Sequence, residues 1–160
     1  MASKSSADGA AADLPSFFAD LVRCETRLYN DLNDCLRVRH GIVTSQFEFL
    51  RYLRDHPGSR VADIAVEFAV GIGATSKGVD RLEKQGWAVR RPNPSDRRSS
   101  LLALTDDGLK LVDAAERTFT ERLAELIGDA LEGAPMSAVA RAFAGLRAAL
   151  ERAQIGMPTG

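Results

Sequence analysis

The chain has 160 residues, 45% of them hydrophobic, and its 21 basic and 22 acidic side chains give a formal net charge of −1 at pH 7. That length and apolar content predict one domain, or a compact domain with appended helices, whose core needs no metal or disulfide. The net charge gives no indication of nucleic-acid binding. The two cysteines, Cys24 and Cys35, have no CxxC spacing and no nearby His cluster, so we expect no zinc site and no cofactor.

The sequence has no uncharged apolar run long enough to span a membrane, so we expect a soluble, cytoplasmic protein with no membrane partner. The Ser- and Ala-rich residues 1–12 lack the apolar centre of a signal peptide. We predict that they form a disordered tail.

A long first helix is predicted over residues 13–40, with Asp13 as its N-cap and Gly41 ending it. Apolar residues recur along it at steps of three and four, which places them on one continuous stripe. The stripe consists of Leu14, Phe17, Leu21, Cys24, Leu28, Leu32 and Cys35.

Three shorter helices are predicted next. Thr44 is the expected N-cap of the second helix, which stops at the breaker His56-Pro57-Gly58, and Ser59 is the expected N-cap of a short third helix. After a turn that contains Gly71, a fourth helix is predicted over residues 72–85.

The period then becomes strand-like in two runs, residues 87–91 and 100–104, and the turn between them is rich in Pro, Asn and charged residues. These runs predict a hairpin with a basic tip. Seven basic residues against three acidic ones give the segment from the fourth helix through the hairpin a local charge of +4: Lys77, Arg81, Lys84, Arg90, Arg91, Arg97 and Arg98 against Asp80, Glu83 and Asp96. Such a basic patch is what contact with phosphates requires.

Two more helices are predicted in residues 105–155. Thr105 is the expected N-cap of a long helix ending around 133–135, and Ser137 is the expected N-cap of the last one. The apolar stripes of the first helix and of these two are too extensive for one small helix-turn-helix unit to cover. We therefore expect a two-fold homodimer, with 13–40 and 105–155 as dimerisation helices around a DNA-binding region at 44–104.

The fold class is thus mainly α with a small β-hairpin wing, a winged helix-turn-helix flanked by dimerisation helices. In such a unit the second helix of the pair enters the major groove and the hairpin reaches a minor groove or the backbone. Helical spacing places six residues opposite the inward Val79 and Leu82: Gly73, Ser76, Lys77, Asp80, Arg81 and Lys84. We expect four of them to contact DNA: Ser76, Lys77, Arg81 and Lys84.

Three motifs occur in order along this region: Leu82-Glu83-Lys84-Gln85-Gly86-Trp87, Asp96-Arg97-Arg98, and Leu104-Thr105-Asp106-Asp107-Gly108. With them the sequence closely resembles the MarR family of bacterial regulators, in motif over residues 82–108 and in element order over roughly residues 14–152. The resemblance implies a dimer on a palindromic operator, often released by a small molecule or an oxidant.

The same resemblance implies roles for the wing. Asp96 would orient Arg98, Arg98 would enter the minor groove, and Arg97 would lie near phosphate. An arginine on a rigid tip also suits the negative potential of a narrow minor groove. Gly78 departs from the family pattern, which usually has an aliphatic residue there, and costs about 1 kcal/mol in helix propensity against Ala.

Several residues allow two interpretations. The basic residues of the fourth helix could be a solvated face. Cys24 and Cys35 are interpreted first as small core residues of the stripe, with oxidant sensing as the alternative. His40, with Arg37 beside it, could lie near a ligand pocket or be an exposed loop histidine, the interpretation we favour. Trp87 is interpreted as core packing.

The function these observations favour is that of a dimeric transcriptional regulator, a repressor of promoters whose operator DNA it binds, released by a small-molecule effector or an oxidant. The alternative is a winged helix used only for protein interaction or dimerisation, which would not need Arg97 and Arg98. The sequence contains no acid–base pair, nucleophile arrangement or phosphate loop that indicates an enzyme.

Overall fold

A computed structural model describes residues 13–128 and 130–158. Within these ranges it contains six helices and one two-stranded antiparallel sheet: α1 Leu14–His40, α2 Thr44–Asp55, α3 Val61–Glu67, α4 Ile72–Lys84, β1 Ala88–Pro92, β2 Ser100–Leu104, α5 Asp106–Gly128 and α6 Met136–Arg152. The predicted fold class is confirmed. The tail expected at residues 1–12 lies outside the described residues. In the ranges that are described, every helix is too short or too polar to cross a membrane.

Both ends of α1 agree with the sequence prediction. The Asp13 carboxylate accepts a hydrogen bond from the Ser16 amide at 3.4 Å. At the other end Gly41 adopts a left-handed conformation, with φ of +68°, and its amide donates to the carbonyl of Arg37. This conformation favours glycine, which explains why the helix ends there.

The predicted caps of α2 and α3 are wrong. Thr44 is the first residue of α2, and the helix is capped instead by Gln46, whose side-chain oxygen accepts from the Val43 amide at 3.0 Å. In α3 the Asp63 carboxylate accepts from the Arg60 amide at 2.7 Å. An acceptor in the first turn that bonds back to the preceding amide stabilises the helix start without a Ser or Thr at the cap.

Ser59, the expected cap of α3, instead pairs with β2 through its backbone. Its carbonyl accepts from the Leu102 amide at 2.8 Å, and the Leu102 carbonyl accepts from the Gly58 amide at 2.9 Å. This isolated bridge attaches the segment between α2 and α3 to β2.

The hairpin is fixed at its base to both neighbouring helices. Strands β1 and β2 pair from Ala88 opposite Leu104 to Pro92 opposite Ser100. The Thr105 hydroxyl accepts from the Gly108 amide at 3.1 Å, which confirms it as the cap of α5, and donates to the Gly86 carbonyl at 2.7 Å. A Cβ on Gly108 would lie 2.0 Å from the carbonyl oxygen of Trp87, so only glycine allows α5 to approach the hairpin this closely.

The last two helices differ from the prediction in their bounds. Helix α5 ends at Gly128, earlier than the expected 133–135. Ser137 is not a cap, because α6 begins at Met136 and the carbonyl of Pro135 accepts from Ala138 and Val139 at 2.8 and 3.1 Å.

The buried core lies in the winged unit, defined as residues 44–104, and in the parts of α1 and α5 that pack on it. It is built from Leu36, Ile42, Phe47, Leu50, Leu53, Ile64, Val79, Leu82, Ala88, Leu102, Val112 and Ala115. In contrast, only Leu32 and Leu36 of α1 are buried, and α6 has no buried residue in the single chain.

Candidate nucleic-acid interface

Helix α4 is held in place by one face. Thr75, Val79 and Leu82 are fully buried, and the Thr75 hydroxyl donates to the Gly71 carbonyl at 3.1 Å. The opposite face is therefore turned to solvent. Its predicted DNA-binding residues lie where the helical spacing placed them: Lys77, Arg81 and Lys84 are exposed and Ser76 is half-buried.

Gly78 has a packing reason that sequence reasoning missed. The ring of Phe49 lies against it, so that a Cβ added at residue 78 would be 2.7 Å from Phe49 Cε2. The same ring packs on Phe68 with 5.4 Å between ring centroids. The glycine lets an aromatic residue of α2 support the middle of α4, which balances its low helix propensity.

The sequence count placed Arg90 in the basic patch, but in the structure Arg90 is paired with acidic residues. From β1 its guanidinium reaches Asp80 at 2.7 Å and also binds Glu83, whose carboxylate in addition accepts from the Arg90 amide at 3.3 Å. The clamp, defined as Arg90 with Asp80 and Glu83, engages both acidic residues of α4. No sequence signal indicates it, since only the folded hairpin brings residue 90 beside α4.

The clamp keeps a net charge of −1, one guanidinium against two carboxylates, and the other charged residues of the segment are mostly basic. Six cations remain against Asp96 alone, a net +5 where the whole segment has +4. In the part of the chain that the structure describes, none of the six forms an ion pair: Lys77, Arg81, Lys84, Arg91, Arg97 and Arg98. Unpaired guanidinium and ammonium groups are what phosphate contact requires.

The tip of the wing is ordered by short-range hydrogen bonds. The Asp96 carboxylate accepts from the backbone amide of Arg98 at 2.9 Å, and the Asn93 side-chain amide donates to the Ser99 hydroxyl at 2.9 Å. Asp96 thus fixes the main chain at Arg98 and leaves the guanidinium unengaged. Both Arg97 and Arg98 are exposed.

Polar side-chain contacts connect α5 to the earlier elements at three places. Arg54 of α2 binds Glu116 at 2.6 and 3.1 Å, and Arg122 binds Asp31 of α1 at 2.6 and 2.8 Å. The third joins His40 Nε2 and the Thr118 hydroxyl at 2.8 Å. These contacts give the long helices a fixed attachment to the winged unit.

The interpretation of His40 as an exposed loop histidine is wrong. It is the last residue of α1, half-buried against α5, and its pKa lies below the ordinary value because of burial and then of the positive charges of Arg39 and Arg117. Arg37 is exposed, with its guanidinium 3.8 Å from Asp34. Neither His40 nor Arg37 lines the cavity of about 490 Å³ among α1, α2 and α4 or the groove of about 570 Å³ among α1, α2, α5 and α6.

The cysteines are not both core residues of one chain. Cys24 is exposed on α1 and Cys35 is half-buried. Cys24 can be buried only if another chain covers the apolar stripe of α1. About 16 Å of helical rise separates them, too far for a disulfide within the helix. Trp87, as predicted, packs half-buried against the core at the base of the wing.

Comparison with known proteins gives one consistent family. A sequence profile described as MarR family matches residues 40–99. The multiple antibiotic resistance protein MarR of Salmonella typhimurium is 33% identical over 72 residues, which cover 45% of this chain and 50% of that protein. The chain thus spans about half the length of the first curated relatives it matches.

Solved structures extend the likeness over the whole fold. The transcriptional repressor CouR, bound to a 23-mer DNA duplex, is 31% identical with a TM-score of 0.65, covering 76% of this chain and 88% of CouR. Sco3205 of Streptomyces coelicolor, a MarR family regulator in complex with DNA, has a TM-score of 0.80 at 21% identity, covering 92% of this chain and 94% of Sco3205.

Proposed function

This chain belongs to the MarR family, and we propose that it is a transcriptional regulator that binds double-stranded operator DNA as a homodimer. The neighbours named above are regulators of transcription, and the chain is not an enzyme. The observation that carries the proposal is the clamp. It attaches the wing strand to α4 and engages both carboxylates of that helix, while the cations of helix and wing stay unpaired.

In the proposed complex α4 enters the major groove with its exposed face. Lys77 and Arg81 contact base edges or phosphates, Ser76 donates a hydrogen bond near the helix start, and Lys84 contacts the backbone. The clamp turns Asp80 and Glu83 toward β1, which lowers their repulsion of phosphate.

The wing binds beside α4 in a neighbouring minor groove. Arg98 enters the groove, Arg97 pairs with phosphate, and Asp96 fixes the main chain between them. Support comes from the exposure of both arginines and from the bond between the Asp96 carboxylate and the Arg98 amide.

The dimer is formed by α1, α5 and α6. Large apolar side chains on these helices are exposed in the single chain, among them Phe17, Phe18, Phe143, Leu146 and Leu150. A second copy related by a two-fold axis covers such faces and presents two winged units to a palindromic site. In line with the repressor CouR, the regulator blocks transcription, and a small-molecule effector or an oxidant acting at Cys24 or Cys35 releases it.

The test is selection of duplexes from a random pool by the purified chain, followed by determination of the complex's mass. We expect an enriched sequence with inverted half-sites about one helical turn apart, bound by two chains per duplex. If no sequence is enriched and the chain still forms a stable dimer that is insensitive to salt, the function is that of a protein-interaction module instead.

A further inference from the structure

The start of α4 differs in character from the rest of its exposed face. From Lys77 onward that face carries cations, whereas the segment Gly71-Ile72-Gly73-Ala74, with which the helix begins, has no charged or hydrogen-bonding side chain. In the described part of the chain, a Cβ added at Gly71 or Gly73 would have no heavy atom of another element within 4 Å. Ile72 is therefore the one large side chain at this end of the helix.

Ile72 also stands apart from the other apolar residues of the winged unit. Within residues 44–104, all of which the structure describes, two large apolar side chains are exposed: Val66 at 60% and Ile72 at 63%. Val66 lines a groove with Leu146 and Leu150 of α6, and Ile72 does not line that groove. A single exposed apolar residue needs no explanation by itself. The position of Ile72 on α4 is what gives its exposure a meaning.

That position lies one helical turn before Ser76, at the edge of the same exposed face. In a helix-turn-helix complex the N-terminal residues of the second helix contact base edges in the major groove. The isoleucine side chain has no donor or acceptor, so it cannot bond to a phosphate or to the polar edge of a base. Against a polar edge it would displace water without replacing the hydrogen bonds of that water.

One base edge suits an apolar side chain. The C5-methyl group of thymine projects into the major groove, where apolar side chains contact it. Glycine on both sides of Ile72 allows the backbone of the helix start to come close to the bases. We propose that Ile72 selects thymine in each half-site of the operator by packing on this methyl group, an assignment that rests on the proposed function.

The cations of α4 cannot supply this preference. Lysine and arginine donate to acceptors, and both guanine and thymine present acceptors in the major groove, O6 and N7 on guanine and O4 on thymine. A methyl group is present on thymine alone among the four bases. Ile72 thus adds a preference of different chemistry to the face that carries Lys77 and Arg81.

Replacement of thymidine by deoxyuridine tests the contact, because it removes the methyl group and keeps the base pair and its O4 acceptor. Each thymine of the selected operator is replaced in turn, in both half-sites together, and Kd is measured at fixed salt. We expect one position at which deoxyuridine weakens binding roughly fourfold per half-site, about the effect of burying one methyl group. At that position Ile72→Ala should bind the two duplexes nearly equally.

Val66→Ala is the matched control, because Val66 is exposed to nearly the same extent but lies beside α6. It should keep the full loss of affinity on deoxyuridine. Any effect of the missing methyl group on the stiffness of the duplex is the same for every protein variant and cancels in the comparison. Ile72→Ala should fold as the unmodified chain does, because Ile72 is exposed and alanine is the better helix former, and urea unfolding checks this.

An operator on which no thymine shows this loss overturns the assignment, and so does a loss that is as large in Ile72→Ala as in the unmodified chain. An enriched operator without thymine in its half-sites overturns it as well. In each of these cases the chain still binds a specific operator, and the proposed function stands. If selection enriches no sequence, the proposed function itself fails and the selection of thymine by Ile72 fails with it.

Discussion

The winged unit and the long helices that flank it bury their apolar residues to very different extents. Phe47, Leu50 and Leu82 of the winged unit are fully buried within one chain, whereas Phe18 of α1 is 65% exposed and Leu146 of α6 is 45% exposed. A folded chain gains stability by removing such surface from water. The winged unit is therefore complete in one chain, and the long helices are complete only with a second copy.

The largest expected effect comes from placing a charge on the uncovered face. Phe18→Asp should weaken the dimer by at least about 100-fold, since two large aromatic contacts are lost and two charges are buried per dimer. Sedimentation equilibrium measures it. Val38→Asp, on another face of α1 at 86% exposure, is the control and should leave the dimer intact. An unmodified chain that sediments at 17.3 kDa would contradict the comparison itself.

Within the winged unit the ring of Phe49 leaves no room for a Cβ at Gly78. Gly78→Ala should destabilise the protein relative to Gly73→Ala by about 1–3 kcal/mol, because its Cβ would overlap the Phe49 ring while residue 73 has open space around it. Alanine also gains helix propensity over glycine, by about 1 kcal/mol in a helix interior such as residue 78 and by less at residue 73, which lies in the first turn of α4. Urea unfolding compares them. If the free energy of unfolding rises equally in the two variants, the Phe49 ring does not restrain α4.

Glu48 lies where the two regions meet, and its effect should depend on pH. The pKa of Glu48 in the folded chain is raised above the ordinary value of 4.5, so the folded chain binds this proton more tightly than the unfolded chain does. The contribution of Glu48 to the free energy of unfolding therefore falls as the pH rises from 4.5 through the raised pKa. Burial is the main cause of the raised pKa of Glu48; the positive charge of Arg51 opposes it and the negative charge of Glu67 adds to it. Glu48→Gln should therefore stabilise the protein at pH 8, by less than the Gly78 effect, and not at pH 4. An equal gain at both pH values in thermal unfolding would contradict the direction.

The smallest effect is expected at the turn between α3 and α4. Ala69 has a φ of +50°, a conformation that costs an L-residue about 1–2 kcal/mol. Glycine removes that cost, but its greater freedom in the unfolded chain costs about 0.4–1 kcal/mol, so Ala69→Gly should stabilise the protein by up to about 1.6 kcal/mol. Ala74→Gly, inside α4, should cost about 1 kcal/mol instead. Melting temperatures that are lowered equally in the two variants would show that the positive φ at Ala69 carries no strain.

The sequence predicts the order of elements, both ends of α1 and the exposed face of α4, because these depend on neighbouring residues. Capping at Asp13, Gly41 and Thr105 is local chemistry. The errors at Thr44 and Ser59 are also local. The acceptors that replace them, Gln46 and Asp63, stand three residues after the capped amides, and that spacing could have been recognised.

The rest of the site depends on contacts that only the fold creates. Arg90 joins α4 from another element, and the packing of Phe49 on Gly78 crosses 29 positions of sequence. The burial of His40 was also missed, because it comes from a contact with Thr118 of α5, 78 positions further along the chain. Periodicity assigns faces to helices, but it does not determine which side chains meet across them.

The central claim, that α4 and the wing read DNA together, is tested most directly by affinities at fixed salt on the selected operator and on its single-base variants. Arg98→Ala should weaken binding several-fold or more on all of them, and Asp96→Ala should do the same more mildly because the guanidinium remains. Lys77→Ala or Arg81→Ala should also relax preference at one base by about 1–3 kcal/mol. Wild-type affinity in Arg98→Ala, together with unchanged affinity and base preference in both helix variants, would contradict the claim.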